Sequence, residues 1–157
     1  MSVEIELQIA SNTKTLPHPN QFKDWVSKAL DNRIENGEIT IRVVDVEEMS
    51  ALNFSYRNKN GPTNVLSFPY DVPSYMDVDL IGDIIICAPV VQEEADRYNV
   101  QFLAHWAHMV VHGTLHLLGY DHELDEEAAL MEGLETSILQ QFGFKNPYEN
   151  GGKYDLT

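Results

Sequence analysis

The chain has 157 residues, 25 acids against 10 bases and a single cysteine, a length that suits one domain with an ordinary core and no linker dividing it. The formal net charge of -15 opposes broad attraction to nucleic acid, so no DNA partner is expected. A metal ion with a few local bases can still make a positive pocket for RNA. No apolar run is long enough to span a bilayer, and the alternating start Val3-Glu4-Ile5-Glu6 lacks the pattern of a secretory signal, so no membrane partner is expected.

Val3, Ile5, Leu7 and Ile9 alternate with Glu4, Glu6 and Gln8, which predicts a half-buried strand. After Pro17 and Pro19, residues Phe22, Trp25, Val26, Ala29 and Leu30 follow the helical period. Ile39 to Val44 reads as a second strand, and Met49, Leu52 and Tyr56 as a short helix to about Arg57, ended by the break Asn60-Gly61-Pro62. Val65-Leu66-Ser67-Phe68 and Leu80–Cys87 predict two more strands, separated by a loop holding Pro69 and Pro73. Cys87, in the run Ile84-Ile85-Ile86-Cys87, reads as a small buried hydrophobe; with no disulfide possible within the chain, a reducing cytoplasm is expected. Pro89 suits the first turn of a helix reaching about Tyr98.

Residues 101–118 are apolar around nearly the whole circumference, the mark of a buried helix. The polar exceptions His105, His108, His112 and His116 fall on one stripe at 3.6 residues per turn. The last helix is predicted to start near Asp125 as its N-cap and to bury Leu130, Met131, Leu134, Ile138 and Phe142. The expected architecture is an α/β (α+β) single domain, with a small mixed sheet of about four strands packed with about five helices. Residues 1–145 form the expected domain, and 146–157 a polar tail open to disorder.

The segment His112-Gly113-Thr114-Leu115-His116-Leu117-Leu118-Gly119-Tyr120-Asp121-His122 carries the chemistry. Histidines four apart share a helical face, with side-chain roots roughly 5–6 Å apart, so His112 and His116 can reach one cation. Gly119 can end the helix in the left-handed conformation and let the chain bring back His122. Three protein ligands leave one tetrahedral position for water, the arrangement of a catalytic zinc site. His108, His112 and His116 make a competing trio, but three ligands along one straight helix converge poorly. His105 and His108 then read as core residues, supports for the ligands or substrate contacts.

The spacing also matches the zinc-protease pattern H-E-x-x-H-x-x-G-x-x-H, except that Gly113 stands where the general-base glutamate belongs. Amide hydrolysis needs a base for water and an acid for the leaving amine, and this face supplies neither. Asp121 and Glu123 could substitute, although acids beside a ligand more often orient it.

The histidine block resembles the signature of the YbeY family of bacterial ribosomal-RNA maturation proteins. The resemblance extends to Tyr56-Arg57, to Pro62-Thr63-Asn64-Val65-Leu66-Ser67-Phe68-Pro69 and to Gly82-Asp83-Ile84, so that it covers most of the chain from Asn53 to Glu135. Many members carry Asp at the position of Asn64. The resemblance implies a zinc-dependent endoribonuclease acting on single-stranded RNA, in ribosomal-RNA maturation (including the 16S 3′ end) and ribosome quality control. It places the family's three metal ligands on His112, His116 and His122, and its functionally important arginine on Arg57. The expected cofactor is one zinc ion, with nickel or another divalent transition metal also compatible with histidine ligands. The expected partners are ribosomal RNA and the ribosome or a small-subunit ribosomal protein.

Arg57 also reads as a helix-end arginine near the negative end of its dipole. Lys59, two residues on, is either a second phosphate contact or a solvated lysine. Asp83 reads as a paired or partly exposed carboxylate, or as a partner of Arg57 or of a ligand histidine. The acids Asp121, Glu123, Asp125, Glu126, Glu127, Glu132 and Glu135 read as a solvated helix face, or as a surface for a basic protein. Two other functions compete: a zinc peptidase, and a non-catalytic ribosome-assembly factor with zinc as a folding staple.

Overall fold

The computed structural model describes residues 2–31, 33–34, 36–71, 79–149 and 156, which form four strands and five helices, as the hydrophobic patterning predicts. In chain order they are β1 (Ser2–Ala10), α1 (Pro19–Leu30), β2 (Asn36–Val44), α2 (Val46–Arg57), β3 (Val65–Pro69), β4 (Leu80–Cys87), α3 (Ala88–Arg97), α4 (Phe102–Leu117) and α5 (Asp125–Gln141). The strands make one mixed sheet in the order β1-β2-β4-β3. β1, β2 and β4 run parallel, and β3 is antiparallel to β4 at the edge. Parallel neighbours need a crossover rather than a tight turn, and α1 supplies it between β1 and β2.

Alternation along the strands divides two cores. Ile84 and Ile86 of β4, with Val65 of β3, join the main core with Phe22 of α1, Trp106 of α4 and Met131 of α5. Ile85 and Cys87, with Leu66, turn to the other face and meet Met49 of α2. Cys87 is fully buried and unpaired, and burial pushes its thiol up to about 11, so it remains an inert hydrophobe.

α4 is the element that positions the site. Every α4 residue from His105 to Leu115 is buried, so the helix is enclosed by the sheet and its neighbouring helices. Phe22 meets Trp106 edge to face at 5.8 Å, fixing α1 against it. On the sheet side, Gly113 allows a close approach: a Cβ there would lie 2.9 Å from Ile84 Cγ2, and Ser67 Oγ donates to the Gly113 carbonyl at 3.2 Å.

Three local expectations need correction. Leu124, not Asp125, caps α5, and Asp125, Glu126 and Glu127 fill its first turn, where acids complement the positive end of the dipole. Leu130, expected in the core, is 58% exposed, and Leu139 is buried instead. Pro69 closes β3 rather than entering the loop, a position tolerated on an edge strand. Pro73 and residues 150–155 and 157 of the tail lie outside the described residues. No helix among the described residues is long and apolar enough to cross a membrane.

Candidate metal centre

The last turns of α4 bring the first two histidines together, with the rings of His112 and His116 4.6 Å apart. The helix then ends as the sequence predicts. Gly119 takes φ +101°, its N–H donates to the His116 carbonyl, and the Tyr120 N–H donates to the Leu115 carbonyl. This pair of bonds is the Schellman termination, which satisfies carbonyls the helix leaves open and reverses the chain. The reversal returns His122, whose ring lies 5.4 Å from His112 and 5.0 Å from His116. One ring nitrogen from each of the three lies within 4.8 Å of the others. His112 is buried and His122 exposed, so the cluster opens to solvent on the His122 side.

Two further features fit a cation. The Nε2 atom of His116 is buried with no hydrogen-bond partner among the described residues, an arrangement that costs free energy unless something accepts its lone pair. Burial, reinforced by the charges of His112 and His122, pushes the His116 imidazole down to about 4, which keeps it in the neutral form that binds metals. His112 Nδ1 lies 2.9 Å from Glu135 Oε2, so Nε2 is the nitrogen that would serve as its ligand atom. A three-imidazole donor set suits zinc, nickel, copper and iron.

The other histidines are held apart. His108 Nε2 lies 2.9 Å from the same Glu135 oxygen and 3.1 Å from the Tyr148 hydroxyl, so the straight-helix trio does not form. His105 Nε2 lies 2.9 Å from Glu94 Oε1, and both oxygens of that carboxylate accept from the buried Asn64 amide at 3.2 Å. This ties α3 and the start of β3 to α4.

Of the acids, Glu135 departs from its sequence reading, while Asp83 and Asp121 each match one of theirs. Glu135, read as part of a solvated face, is completely buried against His108 and His112. Asp83 accepts from the Tyr70 hydroxyl at 2.5 Å, rather than pairing with Arg57 or a ligand histidine. Asp121 accepts from the His122 N–H at 2.7 Å and so shapes the turn. Glu135 was detectable in the sequence, because it shares a helical stripe with Met131 and Ile138. Tyr148 carried no such signal.

Arg57 is the last residue of α2, consistent with its helix-end reading, and Nη1 donates to Asn53 Oδ1 at 3.3 Å. Asn53 is buried, and its own amide donates to the Gly61 carbonyl at 2.9 Å, so one side chain braces both Arg57 and the loop that follows. Asn58 ends α2 in the left-handed conformation, just ahead of Lys59. A cleft of about 640 Å³ is lined by Arg57, Lys59 and Thr63 together with His112, His122 and Glu132. The basic pair and two of the three clustered histidines therefore share one cavity.

The family model described as Endoribonuclease YbeY matches residues 7–143. Among solved structures, the solution structure of TM1509 from Thermotoga maritima, titled VT1, a NESGC target protein, is similar to this chain with a TM-score of 0.59 and 26% identity. That similarity covers 96% of this chain and 99% of the other. The family match takes in the three histidines, the α4 termination and Arg57 within one continuous stretch. The chain belongs to the YbeY family of endoribonucleases.

Proposed function

We propose that the chain is a zinc-dependent endoribonuclease that cuts single-stranded RNA in the cytoplasm, in ribosomal-RNA maturation (including the 16S 3′ end) and ribosome quality control. Its partners on this reading are ribosomal RNA and the ribosome or a small-subunit ribosomal protein. The observation that carries the reading is the cluster of His112, His116 and His122, with donor nitrogens within 4.8 Å, two of which, His112 and His122, line the cavity that also holds Arg57 and Lys59. The three histidines would hold the ion, zinc first and nickel or another divalent transition metal as alternatives. When bound, the ion supplies a Lewis acid for a phosphoryl oxygen and lowers the pKa of water.

The chain's own residues contribute the rest. The Arg57 guanidinium matches two phosphate oxygens with parallel hydrogen bonds and stabilises the extra negative charge of phosphodiester cleavage. Its bond to Asn53 holds it ready for that role. Lys59, on a flexible stem, suits a neighbouring phosphate as a point charge. The peptidase reading loses support from Gly113, because a side chain at that position would collide with Ile84 and Ser67. The assembly-factor reading differs in one outcome: metal would stabilise the fold while no RNA is cut.

The test compares wild type, Arg57→Ala and His116→Ala on single-stranded ribosomal RNA, with metal content measured for each. His116→Ala is expected to lose both metal and cleavage. Arg57→Ala is expected to keep its metal and lose roughly 10²–10³ in rate, the usual scale for one electrostatic donor. Cleavage unchanged in metal-free His116→Ala would overturn the proposal. The product ends report the nucleophile, since a 2′,3′-cyclic phosphate marks attack by the RNA's own 2′-hydroxyl.

A further inference from the structure

Glu135 is a completely buried carboxylate on α5 that reaches α4 and the segment after α5 at once. Oε2 lies 2.9 Å from His108 Nε2 and 2.9 Å from His112 Nδ1, and Oε1 accepts from the Tyr148 hydroxyl at 2.7 Å. A carboxylate oxygen accepts hydrogen bonds, so a ring nitrogen held 2.9 Å from it carries the proton. For His112 that nitrogen is Nδ1, which leaves the lone pair of the neutral ring on Nε2.

We propose that Glu135 and Tyr148 are positioning residues of the metal centre: Glu135 fixes the tautomer and orientation of His112, and the Tyr148 hydroxyl fixes Glu135. The inference rests on the metal-site reading above and adds to it a carboxylate–histidine–metal relay anchored by the segment beyond α5. A purely structural carboxylate would need only His108 to tie α5 to α4. Here the same oxygen also accepts a hydrogen bond from the one clustered histidine that is fully buried. The segment is shaped for the contact as well. Asn146 Oδ1 accepts from the Tyr148 N–H at 2.8 Å and from Thr136 Oγ1 at 3.3 Å, folding residues 146–148 back onto α5. Carboxylates that orient a ligand histidine raise its basicity, and losing them typically costs 10–100-fold in metal affinity.

The experiment measures zinc affinity by competition with a chelating dye for wild type, His116→Ala, Glu135→Gln and Tyr148→Phe, with thermal melts recorded in parallel. Long-range proton–nitrogen NMR on the metal-free wild type reads the His112 tautomer. Glu135→Gln is expected to bind zinc about 10–100-fold more weakly. Tyr148→Phe is expected to lose roughly threefold to tenfold, because the carboxylate remains but is less constrained. His112 is expected to carry its proton on Nδ1. If wild type binds no zinc, or His116→Ala binds it as tightly, the metal-site reading itself fails. If wild type binds, His116→Ala does not, and both other variants stay within twofold of wild type, the positioning role is wrong and the network only holds helices together. Should Glu135→Gln not fold, Tyr148→Phe and the tautomer decide: wild-type affinity in the former, or a proton on Nε2 in the latter, overturns the proposal.

Discussion

Gly113 carries two meanings, and the second is invisible in one dimension. In the sequence it marks the absence of a protease's general base. In the fold it is the point where α4 lies closest to the sheet, with room for no side chain between Ile84 and Ser67. Gly113→Ala therefore sets two effects against each other. Helix propensity favours alanine by about 1 kcal/mol, while an added methyl in a filled contact costs typically 1–3 kcal/mol. The approach of 2.9 Å to a branched methyl favours the penalty, so the net expectation is a loss of roughly 1 kcal/mol, read as a lower urea midpoint at unchanged slope. A higher midpoint would mean that Ile84 yields and the close approach is not needed. The same contrast explains Glu135. Its stripe with Met131 and Ile138 signals burial, yet its partner His108 lies 27 residues earlier, and no local pattern encodes a contact of that separation.

At the scale of elements the sequence was far more legible, because strands and helices here obey strict hydrophobic periods. The crossover helix, the two short central elements α2 and β3, and the buried α4 all follow from patterning alone. The expected turn after α4 also follows, since a positive φ is a local property and Gly119 advertises it. What patterning misses is phase: it sets Leu130 inward, but the buried residues of α5 are Met131, Glu135, Ile138 and Leu139. The α4 termination yields its own prediction. Alanine at Gly119 would have to adopt φ +101°, at a cost of about 1–2 kcal/mol, or else the turn reorganises. His122 lies three residues beyond, while His112 and His116 are fixed by the helix. Gly119→Ala should therefore keep most of its helix content and lose at least about tenfold in zinc affinity through one misplaced ligand, a loss on the scale of other perturbed metal sites. Affinity equal to wild type would show that Asp121, which caps the His122 N–H, holds the turn without the glycine.

For the whole molecule the question is how a chain with a net charge of -15 handles a polyanion. Most basic RNA-binding proteins collect phosphates over a broad surface, and their affinity falls steeply with salt as counterions are released. Here the cavity is lined by one basic pair, Arg57 and Lys59, and also by Glu132 and Glu135. Attraction is therefore confined to the few phosphates next to the histidines, and the surrounding charge repels the rest of the strand. On the proposed reading, that arrangement would favour short, unpaired segments that can thread into the cleft over a duplex whose two backbones must both approach. It also fixes a number. With about two phosphates neutralised and a slope of about -0.7 per phosphate for single strands, log kcat/KM for RNA cleavage should fall with log salt at a slope of about -1.4. Arg57→Ala should reduce the slope by about 0.7 in whatever activity remains. The measurement is cleavage of one labelled single strand between about 50 and 200 mM salt, where counterion release dominates. A slope of about -3 or steeper would mean that a wider basic surface, contributed by a bound partner or by residues outside this cleft, carries the RNA.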